Sequence, residues 1–248
     1  MTDSMQDFLS GIEIPRNRIL FIHARVKGLV PGLAYPQAAE ALLEALRDCF
    51  QPRGILVPTY TYSFTKSGRY DVRHTPSEVG RFSEEVRLLM GLRRTLDPIF
   101  NVIDVDGILN GRNIDYRSAF GINSLFDYLH QENAIGVNIN LETIISTQLH
   151  YVEAVSRVPY RFNKVFHGRI WNETGTCREV AYEYLVRDLE RDPKWDRARI
   201  SRDLVDAGVL NPTTRHKCEL TWMAARDLYS FISERLQDNP EYLLVRQS

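Results

Sequence analysis

Two short apolar runs with one amphipathic stretch between them constrain this chain more than any other feature. Ile19-Leu20-Phe21-Ile22 reads as a buried strand ending at His23, and Gly54-Ile55-Leu56-Val57 as a second one stopped by Pro58. Between them, residues 35–50 place Ala38, Ala39, Leu42, Leu43, Ala45 and Leu46 at helical spacing, with Pro36 suited to a first turn. Strand, helix, strand in that order predicts a unit of an α/β sheet.

The rest of the chain continues the pattern. Helices are expected near 80–90 and 123–131, with another apolar strand at Ala134-Ile135-Gly136-Val137. A helix follows over 147–157, ended before Pro159, then a strand over 160–170 and helices over 196–207 and 222–237. Residues 61–80 are polar and rich in Thr, Ser, Gly and Tyr, which predicts a long loop of the kind that carries function. No low-complexity linker or internal repeat interrupts the 248 residues, a length that suits one large domain.

Composition excludes several function classes. Lys and Arg number 31 against 32 Asp and Glu, a formal net charge of -1, which argues against nucleic acid or an anionic membrane as the main partner. Cys49, Cys177 and Cys218 are odd in number and far apart, so neither a disulfide framework nor a zinc ligand set is indicated. The first residues lack a basic-then-apolar signal pattern, and no apolar run approaches the ~20 residues of a membrane span. A soluble, cytoplasmic protein is expected.

The chemistry concentrates in Ser146-Thr147-Gln148-Leu149-His150-Tyr151-Val152-Glu153. Thr147, His150 and Glu153 at i, i+3 and i+6 fall on roughly one side of a helix, so their side chains can converge. A histidine titrating near neutrality and oriented by a carboxylate can take a proton from a nucleophile. On spacing alone, a helical His near a Glu is more often a surface pair or a satisfied core pair. A metal shared by His150 and Glu153 is the other chemical reading, but no second cluster completes it, since His23, His74 and His167 are scattered.

Several segments, in order, resemble the aminoglycoside 3-N-acetyltransferase family. A strand ending in His-Ser-Ser before Lys and Gly is matched by His23-Ala24-Arg25-Val26-Lys27-Gly28, and a Pro-Thr-x-Thr turn by Pro58-Thr59-Tyr60-Thr61. The Asp, Thr-Pro-Ser and Gly-x-x-x-Glu-x-x-Arg elements appear as Asp71, Thr75-Pro76-Ser77 and Gly80 with Glu84 and Arg87. Arg-Ser-x-His-Pro becomes Arg94-Thr95-Leu96-Asp97-Pro98, and Asn-Thr-x-x-His-x-x-Glu becomes Ser146-Thr147 through His150 and Glu153. Tyr160-Arg161 and Asp238-Asn239-Pro240-Glu241-Tyr242-Leu243 close the series. The departures are Ala24 and Arg25 for two serines, Asp97 for a histidine and Ser146 for an asparagine.

The resemblance implies an α/β fold with a central mixed sheet flanked by helices, distinct from the GNAT fold. It implies one domain over residues 1–248, with 160–220 as a candidate subdomain and a homodimer as a candidate assembly. It also implies an enzyme that moves an acetyl group from acetyl-CoA to an amine of an amino sugar, an aminoglycoside or a similar small metabolite, with no metal. His150 would be the general base, Glu153 or another carboxylate its orienting partner, and the Thr147 hydroxyl or a nearby backbone N–H the oxyanion donor.

For CoA, Arg25 and Lys27 can reach phosphates, and Thr59, Thr61, Thr75 and Ser77 offer hydroxyls. Gly80 allows close approach at a helix start. Ser77 also fits a helix N-cap, and Arg94 fits either a structural or a CoA-binding role. Tyr60, Tyr62, Phe64 and Tyr70 either line an acceptor pocket or anchor their loop. A non-catalytic ligand-binding protein and an acyl hydrolase are the competing function classes.

Overall fold

The computed structural model describes residues 4–29, 32, 37–90, 93–215 and 218–245. Its elements run α1 (Met5–Leu9), β1 (Ile19–Ala24), α2 (Gln37–Phe50), β2 (Gly54–Pro58), α3 (Phe64–Ser67), β3 (Arg69–Asp71), α4 (Arg81–Met90) and β4 (Val102–Asp104). They continue with α5 (Leu125–Gln131), β5 (Ile135–Ile139), α6 (Gln148–Ser156), β6 (Arg161–Trp171) and β7 (Cys177–Arg187). The last are α7 (Arg197–Asp206), β8 (Asn211–Arg215), β9 (Cys218–Ala224) and α8 (Ala225–Asp238). The expected helix start at Tyr35 and Pro36 lies outside the described residues.

Six strands form one sheet in the order β4-β2-β1-β5-β9-β8. β1 is parallel to both β2 and β5, while β4, β9 and β8 add antiparallel edges, so the sheet is mixed as expected. Alternation along β1 sends Leu20 and Ile22 to one face, where they pack with Leu42, Leu46 and Phe82 of α2 and α4. Ile19 and Phe21 point to the other face, against Phe126 of α5, Tyr151 of α6 and Tyr184 of β7. A third cluster joins α6, α7 and α8 through Leu149, Val152, Ile200, Leu228 and Ile232.

The chain leaves β1 towards β2 on one side and reaches α6 from β5 on the other. The crevice at the carboxyl ends of β1 and β5 is therefore the place where an α/β sheet of this kind binds a ligand.

A second sheet, β3-β6-β7, was only partly expected. β6 extends over the predicted 160–170 strand, but β7 and the short α3 and β3 inside the predicted loop 61–80 are additional. β3 lies parallel to β6, and Gly168 lets the preceding residues pack close: a Cβ there would sit 2.5 Å from the Gly68 carbonyl oxygen and 2.7 Å from the Phe64 ring. The predicted helix over 222–237 is corrected at its start. Residues Trp222–Ala224 complete β9, and α8 begins at Ala225.

Arg94, 3% exposed, pins the 59–75 segment to the sheet. Its Nε donates to Asn101 Oδ1 at 2.8 Å and Thr59 Oγ1 at 3.1 Å, and its other nitrogens to the Thr59 and Thr75 carbonyls at 2.5 Å. The guanidinium also lies 5.1 Å from the centre of the Tyr70 ring. Arg94 is thus structural. Replacing it with Ala strands buried acceptors, and urea denaturation is expected to show a loss of roughly 3 kcal/mol; an unchanged midpoint would contradict this role.

Candidate active site

α6 follows β5 and presents Thr147, His150 and Glu153 along one side, as the spacing requires. His150 Nδ1 lies 2.7 Å from Glu153 Oε2, so the predicted pair forms. A carboxylate can only accept, which makes Nδ1 the protonated nitrogen and leaves Nε2 with a free lone pair. The His150 side chain remains 23% exposed while that of Glu153 is fully buried. A reactant can therefore reach the ring, and water cannot compete for the carboxylate.

Two partners that sequence reasoning did not assign complete the arrangement. Arg161 at the start of β6 places Nε 2.6 Å from Glu153 Oε2. Trp195 donates its indole N–H to Glu153 Oε1 at 2.8 Å and tilts its ring over His150, with centroids 4.6 Å apart. Residues 243–244 hold the backbone at this indole, because Trp195 bridges to Leu244 and the Asp196 N–H donates to the Leu243 carbonyl at 2.9 Å. Phe120 and Phe100 close the other sides of the imidazole, at 5.5 and 6.4 Å. Arg161 carried a signal, as part of the Tyr-Arg element; Trp195 carried none.

Electrostatics follow from this geometry. Burial lowers the His150 pKa from 6.5; the hydrogen bond and charge of Glu153 oppose it, and the Arg161 and Arg197 charges add to it. The ring is accordingly neutral at pH 7. Burial alone would raise the Glu153 carboxyl, but the hydrogen bond and charge of His150, together with Arg161, outweigh it and hold the group below its usual value.

Thr147 is the N-cap residue of α6, yet its side chain makes no capping bond. Instead Oγ1 accepts from the buried Tyr60 hydroxyl at 2.8 Å, which leaves the Thr147 hydrogen for another acceptor. Tyr60, Phe64 and Tyr70 are buried anchors, and Tyr62 is the exposed member of the aromatic loop.

The expected CoA residues divide into two groups. Arg25 and Lys27 are exposed just past β1, at the carboxyl edge of the sheet where α6 also begins. Thr59 and Thr61 are fully buried, and their hydroxyls donate to Asn101 Oδ1 at 2.8 Å and the Pro98 carbonyl at 2.5 Å. Both hydroxyl hydrogens are used inside the fold. Thr75 Oγ1 accepts from the Asp71 N–H at 2.8 Å.

Ser77 is not the N-cap of α4, which begins at Arg81. Glu84 reaches back to the Ser77 N–H at 2.7 Å instead. Gly80 precedes the helix with φ at +111° and open space where a Cβ would be. Among the described residues, no group of three or more His, Cys, Asp or Glu is arranged to hold a metal ion.

Asp97, standing where the family pattern has a histidine, shapes the wall of the site. Its Oδ1 accepts from the Ile99 and Phe100 N–H groups at 2.8 Å and from the Tyr184 hydroxyl at 2.7 Å. It therefore fixes the Phe100 ring beside His150. Away from the His150–Glu153 pair, Asp106 pairs with Arg47, Asp115 with Arg117 and Glu179 with Arg169.

A histidine–carboxylate pair with a buried carboxylate thus lies at the carboxyl edge of a mixed α/β sheet. The aminoglycoside 3-N-acetyltransferase family profile matches residues 21–237, and the chain belongs to that family. No curated protein sequence matches it.

Among solved structures, the aminoglycoside acetyltransferase AAC(3)-IIb is similar at 16% identity and TM-score 0.75, covering 95% of this chain and 96% of that one. AAC-VIa bound to sisomicin is similar at 19% identity and TM-score 0.72, covering 95% and 97%. YokD from Bacillus subtilis is similar at 15% identity and TM-score 0.71, covering 95% and 98%. At these identities the likeness establishes the shared fold.

Burial raises the Asp97 carboxyl from 3.8 to about 6, against the hydrogen bonds from Tyr184, Ile99 and Phe100. A raised acid binds its proton more tightly in the folded state, so its contribution is fully present below about pH 4 and is lost as pH rises through 6. That two-unit difference corresponds to about 3 kcal/mol. Asp97→Asn keeps an acceptor and cannot ionise. Denaturation curves from pH 4 to 7 are expected to show the variant gaining on wild type as pH rises; parallel curves would contradict the assignment.

Proposed function

We propose that this chain is an acetyl-CoA-dependent N-acetyltransferase that acylates an amine of an amino sugar, an aminoglycoside or a similar small metabolite, with His150 as general base. The observation that supports it most is the neutral His150, held through Nδ1 by a buried carboxylate, with its side chain partly exposed. Membership of the acetyltransferase family supplies the reaction class.

The amine attacks the thioester carbonyl as His150 Nε2 takes its proton, so one N–C bond forms and the carbonyl oxygen becomes an oxyanion. Glu153 balances the imidazolium that results and keeps the ring in its working tautomer. Arg161 and Trp195 keep Glu153 ionised and fixed. The Thr147 hydroxyl, supported from behind by Tyr60, is the proposed donor to the oxyanion. Collapse breaks the C–S bond, and the imidazolium proton returns to the departing CoA thiolate. Arg25 and Lys27 are the proposed phosphate partners, since they are exposed cations past the central strand. Thr59 and Thr61 would instead support the site from beneath. Acetyl-CoA is a cytoplasmic metabolite, and the proposed reaction belongs in that compartment.

His150→Ala is expected to lower kcat by roughly 10²–10⁴-fold with acetyl-CoA binding retained, as read by thiol release against a panel of amino sugars and aminoglycosides. Turnover at the wild-type rate would remove His150 from the mechanism. Product mass settles the competing hydrolase: an amine heavier by one acetyl group supports transfer, and free acetate alone supports hydrolysis. Because burial lowers the His150 pKa, kcat/KM should hold down to a pH below 6.5 and fall as His150 protonates. An acid limb centred above 6.5 would contradict a base in this environment.

A further inference from the structure

Arg197 is a cation beside the base to which the proposed reaction gives no role. It is the first residue of α7, and its guanidinium lies 5.6 Å from the centre of the Trp195 ring, as does that of Arg161. The same ring lies 4.6 Å from the His150 imidazole, so at most about 10 Å separates the Arg197 charge from the base. Three side chains feel that charge. Burial lowers the His23 pKa to about 4, and Arg197 adds to the fall. At His150 it adds to the effect of burial, and at Tyr62 it opposes the rise that burial and Glu78 cause. Arg197 is thus close to the end of β1, to Tyr62 and to α6 at once.

The two guanidiniums at Trp195 differ in their partners. Arg161 lies 2.6 Å from the Glu153 carboxylate. Arg197 is exposed and donates Nη1 to the Ile144 carbonyl at 3.0 Å, and among the described residues no carboxylate pairs with it. Its neighbour Asp196 is turned to Arg199, and Glu78 accepts from the Ser63 N–H. The Ile144 carbonyl and the Trp195 ring therefore orient the Arg197 guanidinium, while the rest of its N–H fork has no protein partner. An oriented cation without a counter-charge, this near a proton-transfer residue, is arranged to meet an anion on a ligand.

We infer that Arg197 binds a phosphate or carboxylate carried by the acceptor, so that the substrate is an anionic amine and not a polycationic one. The inference rests on the proposed transfer reaction. The phosphates of CoA stand at the far end of the pantetheine arm from the reacting carbonyl, whereas Arg197 is one aromatic ring away from the base. The anion at this position accordingly comes with the acceptor. A polycation would instead bring like charge up to Arg161 and Arg197 together.

Calorimetric titration of the full chain, saturated with CoA, tests the inference with glucosamine 6-phosphate, glucosamine and the polycationic sisomicin. Transfer from acetyl-CoA to the same amines is measured alongside. Glucosamine 6-phosphate should bind about 10- to 100-fold more tightly than glucosamine, the range for a hydrogen bond to a charged group, and more tightly than sisomicin. Arg197→Ala should erase that advantage. Arg197→Gln should erase it too while keeping a donor for the Ile144 carbonyl, so the loss reports the charge and not the fold.

Equal affinities for the two glucosamines, or an advantage that survives both variants, overturn the inference. So does a rise in the KM of acetyl-CoA with the order of amines unchanged, which would assign Arg197 to the CoA phosphates. If an amine is acylated while the affinities stay flat, the acceptor assignment fails and the transfer reaction stands. If the affinity order holds and no amine is acylated, the anion site stands and the transfer reaction fails.

Discussion

The site depends on one buried carboxylate. Glu153 has no solvent to stabilise its charge, and an isolated ion in that position would shed the charge by binding a proton. It stays ionised because His150 and Trp195 turn donors towards its two oxygens and the Arg161 guanidinium lies beside it as a positive charge. Those partners come from α6, from the start of β6 and from the segment leading into α7. Satisfying a single charge therefore brings three distant stretches of chain to one point and fixes the imidazole between them.

A second polar layer holds the walls. Arg94 ties the turn after β2 to the residues before β4, and Asp97 three positions later orients Phe100 against His150. Tyr60 belongs to the same turn and supports Thr147. Hydroxyls that a motif reading offers to a ligand are thus spent on architecture at Thr59 and Thr61, while Thr147 keeps its hydrogen. The difference is burial: a hydroxyl sealed in the core must use its hydrogen locally, because no water will take it.

Much of the fold was legible in short-range pattern. The run at 19–22, the amphipathic helix before residue 50 and the run at 54–57 gave the parallel pair at the sheet centre, because strands covered on both faces are written as unbroken apolar residues. The His150–Glu153 pair was legible for a similar reason, since helical geometry alone brings i and i+3 together. α3 and β3 escaped because elements of four and three residues are too short to establish a period. β7 did carry a signal, in the alternation that buries Tyr182 and Tyr184 and exposes Ala181 and Glu183, but its polar ends masked it.

By itself, then, the sequence determined the local elements, the central strand–helix–strand unit and the His150–Glu153 pair. Only the tertiary structure decided that Trp195 and Arg161 complete the carboxylate's shell, and that Asp97 and Arg94 are structural. Local elements follow from propensity and periodicity within a few turns of chain. Partners separated by up to 87 residues, as Tyr60 and Thr147 are, meet only after the sheet order is set. What selects them is the cost of burying a polar group unpaired, which no local pattern records.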